Sequence, residues 1–199
     1  MMLTEVTAVP GAALPVGGLI AHLRLGTGFA LPEGQEVLLE SHLRAAIAAI
    51  EARVAKALIQ RAFLWELAEW RDPDGVAMPL APVAEILSLS MVDAGGAEWT
   101  VAETGYRLIA DRHRPRLAGR GGGLPLVPSE GRVLISFVAG FAADWEGVPA
   151  DLQQAVLLLA AEFYEHRHDA GAASGLPSAV NALIEPWRQV RVLGGGGRR

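Results

Sequence analysis

The stretch that decides the fold begins Val148-Pro149-Ala150-Asp151-Leu152-Gln153-Gln154-Ala155-Val156-Leu157-Leu158-Leu159. It continues through Phe163-Tyr164-Glu165-His166-Arg167 to Leu176-Pro177, Leu183-Ile184 and Pro186-Trp187-Arg188. Leu152, Val156, Leu159 and Phe163 recur three or four residues apart, which predicts an amphipathic helix. Proline suits a first helical turn, and Asp151 puts an acid at the positive end of the helix dipole. Burying those four side chains contributes roughly 1.5–3 kcal/mol each. The pattern fades at Arg167–Asp169, residues 171–175 form a loop of small residues, and Pro177 opens a second short helix that Pro186 and Trp187 close.

Upstream, the period changes from helical to alternating. Phe63, Trp65 and Leu67 alternate, as do Leu87, Leu89 and Met91 with Ser88 and Ser90 between them, and again Val133, Ile135 and Phe137. Pro73-Asp74-Gly75 and Asp93–Gly96 are turns, Trp99 and Tyr106 begin further strands, and Arg120–Gly123 is a glycine-rich loop. A small antiparallel sheet of four or five strands follows for residues 61–141. Before it, Val37, Leu43, Ile47, Ile50, Val54 and Leu58 make one stripe of a long helix, about Glu33 to Ile59. Glu40, Arg44, Glu51, Arg53 and Lys56 occupy its opposite, solvent-side face. A short helix from Leu19 to Leu25 precedes a loop at 26–32.

The expected architecture is α+β, mainly α: a helical bundle, made of the long helix and the C-terminal helices, carrying a small antiparallel β insertion. Residues 1–15 are an N-terminal arm. Residues 16–188 are the domain, with helices at about 16–60 and 149–186 and the β insertion at about 61–141. Residues 189–199 are a Gly/Arg tail, flexible by composition.

With 199 residues, 51% hydrophobic and 20% charged, the chain can bury one core and does not read as disordered. It has no cysteine, which excludes disulfides, thiol catalysis and cysteine-based metal sites. No signal peptide or spanning run is visible, so a protein without a membrane partner is expected. The net charge of −5, with no basic stripe, disfavours tight binding to nucleic acid by the whole domain.

The search for chemistry is mostly negative, and no catalytic, metal-ligating or cofactor-binding residue is assigned. Glu162 and His166 share a helical face, with Glu165 and His168 nearby, but the two-histidine spacing of a zinc helix is missing. A solvated helix end is the better reading. The glycines at 119 and 121–123 lack the Lys-Ser/Thr and the helix of a phosphate loop. Gly26, Gly28 and Gly34 do not follow a strand, and no nucleophile elbow occurs. Trp65 and Trp99 read as core or half-buried strand residues, whereas Trp145 and Trp187 are equally compatible with core and interface.

The pieces quoted above resemble, in their order, phage head–tail connector (adaptor) proteins. The shared order is a strand ending in Ala139-Gly140-Phe141, then Val148-Pro149 and a helix with Tyr164-Glu165-His166-Arg167. Leu176-Pro177 and a short helix reaching Arg188 follow. Pro82-Val83, Val92-Asp93 and the His22-Leu23-Arg24 end of the first helix extend the likeness over most of residues 16–188. The resemblance implies a non-enzymatic subunit of a ring, usually of twelve copies, beneath the portal of a tailed phage or a phage-like gene-transfer particle. It would extend the DNA channel, meet the stopper or other tail-side neck protein, and touch double-stranded DNA transiently and non-specifically. Assembly would occur in the cytoplasm of the producing bacterium, and the final location would be the neck. Trp187, Arg188, Val190, Arg191, Val192, Leu193, Arg198 and Arg199 are the candidate partner interface. Arg112, Arg114, Arg116 and Arg120 are a candidate loop for the channel or a partner. The alternatives are another neck or tail-completion protein, a small α+β enzyme using the Glu162/His166 cluster, and a DNA-binding regulator.

Overall fold

In a computed structural model of the chain, residues 1–25, 34–167 and 175–188 are described. The elements run β1 Met2–Glu5, α1 Val16–His22, α2 Gln35–Val54, β2 Arg61–Leu67, β3 Gly75–Ala77, β4 Val83–Val92 and β5 Glu98–Thr100. They continue β6 Tyr106–Ile109, β7 Arg116–Gly119, β8 Arg132–Ala139, α3 Ala150–Glu165 and α4 Ser178–Ile184, the last followed by a 3-10 turn at Glu185–Trp187. A five-stranded sheet has the order β1-β2-β8-β4-β5, and a three-stranded sheet the order β3-β7-β6. All named pairings are antiparallel.

The expectation of a mainly helical protein is wrong. The described residues are about 34% helix and 27% strand, in two sheets and four α-helices. Three local causes account for the excess of strand. The N-terminal arm contributes a strand of its own, because Met2–Glu5 pairs with Phe63–Glu66 as β1. The long helix stops at Val54, where Ala55 turns into the left-handed region (φ 52°), and residues 56–59 run on as bridges to Ala81 and Ala142. The basic segment at 112–120 contains β7, whose Leu117 is fully buried.

The helices pack as one apolar cluster. Leu39, Leu43, Ile47, Ile50 and Val54 of α2 meet Leu152, Val156 and Leu159 of α3, with Val180, Ile184 and Trp187 closing the end. Val37 departs from the expected stripe and is 72% exposed. The two sheets share a second cluster built on Phe63, Trp65, Leu89, Met91, Tyr106, Leu117, Ile135 and Phe137. The alternation read in β2 and β8 is seen directly as buried and half-buried positions.

The clusters meet where β8 leaves its sheet. Gly140 has φ +140°, and a Cβ there would overlap the backbone of Ile59 and Gln60. Only glycine lets β8 pass this close to the segment after α2. From that crossing, Phe141 N–H donates to Leu58 O and Gln60 N–H to Ala142 O, which carries the chain into the helical layer.

Candidate functional site

Two junctions join helices to sheets, and both collect charged side chains. The first is ionic. Glu51 and Lys56 were expected on the solvent face of α2, but both are buried. Glu51 Oε1 accepts the Leu58 N–H at 2.7 Å and Arg61 Nη1 at 3.0 Å, while Oε2 accepts Arg61 Nη2 at 2.7 Å. Arg61 also donates to Ile59 O, stands 4.9 Å above the Phe63 ring, and has its Nε 3.0 Å from Glu5 of β1. That last contact is an ion pair without hydrogen-bond alignment. Burial works to lower the pKa of Arg61, but its bonds and charge pairing with Glu51 and Glu5 outweigh this and raise it. Lys56 Nζ, fully buried just past the helix end, reaches His113 O at 3.4 Å. Burial depresses the Lys56 pKa, partly offset by the charge of Asp111.

The second junction is aromatic, and it brings together residues that the sequence reading kept apart. The Trp187 ring is 7% exposed and is held within the chain: Nε1 donates to Asp151 Oδ2 at 2.6 Å. The His113 ring stacks on it at 5.7 Å, the Phe141 ring meets it edge-on at 5.2 Å, and the Arg112 guanidinium lies 5.4 Å from its centroid. Asp111 fixes this loop by accepting the N–H groups of His113 and Arg114, both at 2.7 Å, and those bonds hold its carboxyl below the ordinary range. No spacing in the sequence links residues 111–113 with 141, 151 and 187. The one signal was composition: a basic group in the middle and an aromatic beside the Ala139-Gly140 turn.

The other candidate residues are dispersed. Arg116 donates to Gly75 O and pairs with the exposed Asp72 at 3.4 Å. Arg120 donates to Tyr106 O at 2.8 Å. Arg188 pairs with Glu185 at 2.8 Å on the surface. Val190, Arg191, Val192, Leu193, Arg198 and Arg199 lie outside the described residues, as do His168 and the loop at 26–32. Glu162 and His166 do meet, at 3.3 Å, but as an exposed pair at the last turn of α3, where His166 is the C-cap. Among the described residues no group of three His, Asp or Glu is placed to hold a metal ion. Among them, too, no helix is long and apolar enough to cross a membrane. Trp99, expected in the core or half-buried, is 47% exposed on the short strand β5.

Fold and junctions together define a class: an α+β protein whose conspicuous charged and aromatic clusters brace its own parts. Solved structures are similar to it over nearly the whole chain. A protein in the neck of an empty gene transfer agent particle, computed with C6 symmetry, is 57% identical with a TM-score of 0.89, covering 98% of this chain and 99% of that one. A protein of the virion of a native gene transfer agent particle is 56% identical (TM-score 0.87), with the same coverage. One in the neck of a native particle, computed with C12 symmetry, is 53% identical (TM-score 0.85), again with that coverage. No protein-family model matches the chain, and no curated protein sequence matches it significantly. The chain belongs to the family of gene transfer agent neck proteins and is a phage-like structural component.

Proposed function

We propose that the chain is a head–tail connector, or adaptor, subunit. Twelve copies form a ring beneath the portal, extend the DNA channel and offer a platform to the stopper on the tail side. One observation carries this reading: the near full-length likeness to neck proteins in particles computed with C6 and C12 symmetry. Sixfold symmetry is contained in twelvefold, so one ring of twelve satisfies both. Heterologous contacts around a rotation axis close into such a ring.

The charge fits a channel. At −5 per chain, a ring repels DNA on average and favours sliding over adhesion. DNA contact is therefore transient and non-specific, with Arg112, Arg114, Arg116 and Arg120 as its candidate loop. Residues 189–199 are the candidate strap to the portal. They follow Trp187 and Arg188 in the chain, and their sequence combines four glycines with a terminal arginine pair. Assembly takes place in the cytoplasm of the producing bacterium and ends in the particle neck.

Copurification with the portal, followed by native mass spectrometry, tests the reading. A twelve-subunit ring on the portal is expected; a chain that binds the stopper but never the portal overturns it. Deleting residues 190–199 should weaken portal binding and leave the fold intact, and unchanged binding would remove the strap from the proposal.

A further inference from the structure

Among the described residues the five-stranded sheet ends in two edges that no further strand pairs. At one, β1 pairs with β2 alone, and Met1, Met2, Leu3 and Val6 are 81%, 57%, 36% and 58% exposed. At the other, β5 pairs with β4 alone, and Trp99 and Leu87 are each 47% exposed. Monomeric proteins guard such edges with charged side chains, above all lysine, with proline, with very short strands or with a covering element. Both strands are short, and each carries one glutamate, Glu5, which is paired with Arg61, and Glu98; neither contains a lysine or a proline.

The two edges match in direction and in face. Four successive antiparallel pairings separate β1 from β5, so the two strands run the same way. The pleat links Leu67, Val133, Met91 and Trp99 in one row, and Leu3, Trp65, Ile135 and Leu89 in the next. Both rows lie on the face that packs against the three-stranded sheet. Leu3 and Trp99 therefore overhang opposite edges of the same face.

Beside β1, on that face, lies a mostly apolar groove of about 580 Å³ between the two sheets, lined by Met1, Trp65, Leu67, Val76 and Pro79. Arg71 and Arg116, with Glu69 and Asp72, also line it. The molecule thus has a hole at one edge of the sheet and an exposed indole at the other.

We propose that the occupant of this groove is Trp99 of a second copy, so that β5 of each subunit runs alongside β1 of the next. Strand addition supplies the main-chain contact and the indole supplies the anchor. A contact between two different surfaces of one chain, applied repeatedly, closes a ring and leaves no edge open. The chemistry selects a copy over an unrelated peptide because knob and hole share a face and a strand direction. The inference rests on the ring reading above.

The natural chain has no cysteine, which makes cross-linking clean. Thr4 and Thr100 are exposed edge residues outside the knob and the hole. A Thr4→Cys/Thr100→Cys chain, assembled into necks and treated with a short bis-maleimide, should give a ladder of linked subunits on a denaturing gel. Each single-cysteine chain should stay monomeric. Trp99→Asp should lower ring yield more than tenfold with an unchanged circular dichroism spectrum. A ring visible by native mass spectrometry with no ladder overturns the edge pairing and leaves the ring reading standing. Dimers from either single-cysteine chain also overturn it, because they mean like-to-like contact. Absence of any ring from the unsubstituted chain, alone and in the neck, overturns both readings together.

Discussion

The junction around Arg61 and the junction around Trp187 do the same mechanical task with opposite physics. One surrounds a buried cation with two carboxylates and a backbone carbonyl. The other stacks rings and a guanidinium against a single hydrogen bond at the chain's end. Buried ion pairs are weak sources of net stability, yet removing one member leaves an uncompensated charge. Stacked aromatic contacts degrade gradually as members are lost. The first junction therefore demands one geometry, while the second can yield. That arrangement suits a core that must stay fixed beside an end proposed to dock.

The sharpest way to break the contrast is at Glu51. Glu51→Ala leaves Arg61 with Glu5 as its one carboxylate among the described residues and orphans the Leu58 N–H, so chemical denaturation should register a loss of about 3–5 kcal/mol. A loss below that of the Trp187 variant would reverse the comparison. Next comes Trp187→Phe, which keeps a ring against His113 and Phe141 but cannot donate to Asp151. Hydrogen bonds to charged groups contribute about 1.5–3 kcal/mol, and that loss should be read in the same titration. Arg112→Gln removes one cation from a ring face and should show a coupling of roughly 0.5–1 kcal/mol in a double-mutant cycle with Trp187→Leu, which removes the ring.

The smallest effect is a pH dependence in neither junction. His42 lies edge-on to Tyr164 at 6.0 Å, and its Nε2 has no hydrogen-bond partner among the described residues. Burial, and then the positive charge of Arg167, lower its pKa from 6.5. As pH falls through 6.5, the unfolded chain takes up a proton that the folded chain resists, so stability declines toward acid. The slope of stability against pH just below 6.5 should flatten in His42→Gln. An unchanged slope would assign the dependence to other groups.

How far the sequence could be read follows from the range of each interaction. The α2–α3 packing was visible because helical periodicity is local: Leu43, Ile47 and Ile50, then Leu152, Val156 and Leu159, stand on buried faces. Strands β2 and β8 were visible by alternation; β4 was located by it, but a register shift between Ile86 and Ser88 breaks the pattern, leaving Leu87 exposed, and Ser90 is buried. Strand β1 was not, because four exposed residues acquire their conformation only from β2, some sixty positions on. Glu51 and Lys56 looked solvated because charge alone suggests exposure, and their partners Arg61 and His113 lie beyond the helix. The resemblance to connector proteins brought the neck within reach, while the balance of helix and strand depended on these long-range pairings. The site was less legible than the fold. Trp187 and Arg112 were both singled out, but nothing in their spacing reveals that they touch.

Strand β8 lies between β2 and β4, so it is the centre of the larger sheet although it is the last of the eight strands among the described residues. During synthesis, β1, β2, β4 and β5 must wait for it. Until residue 139 leaves the ribosome the sheet has two separated halves, each with an apolar flank exposed. Pairings this distant in sequence form slowly and leave edges open to wrong partners. Translation pauses before β8 has emerged should therefore produce more aggregation than pauses after Gly140 has emerged.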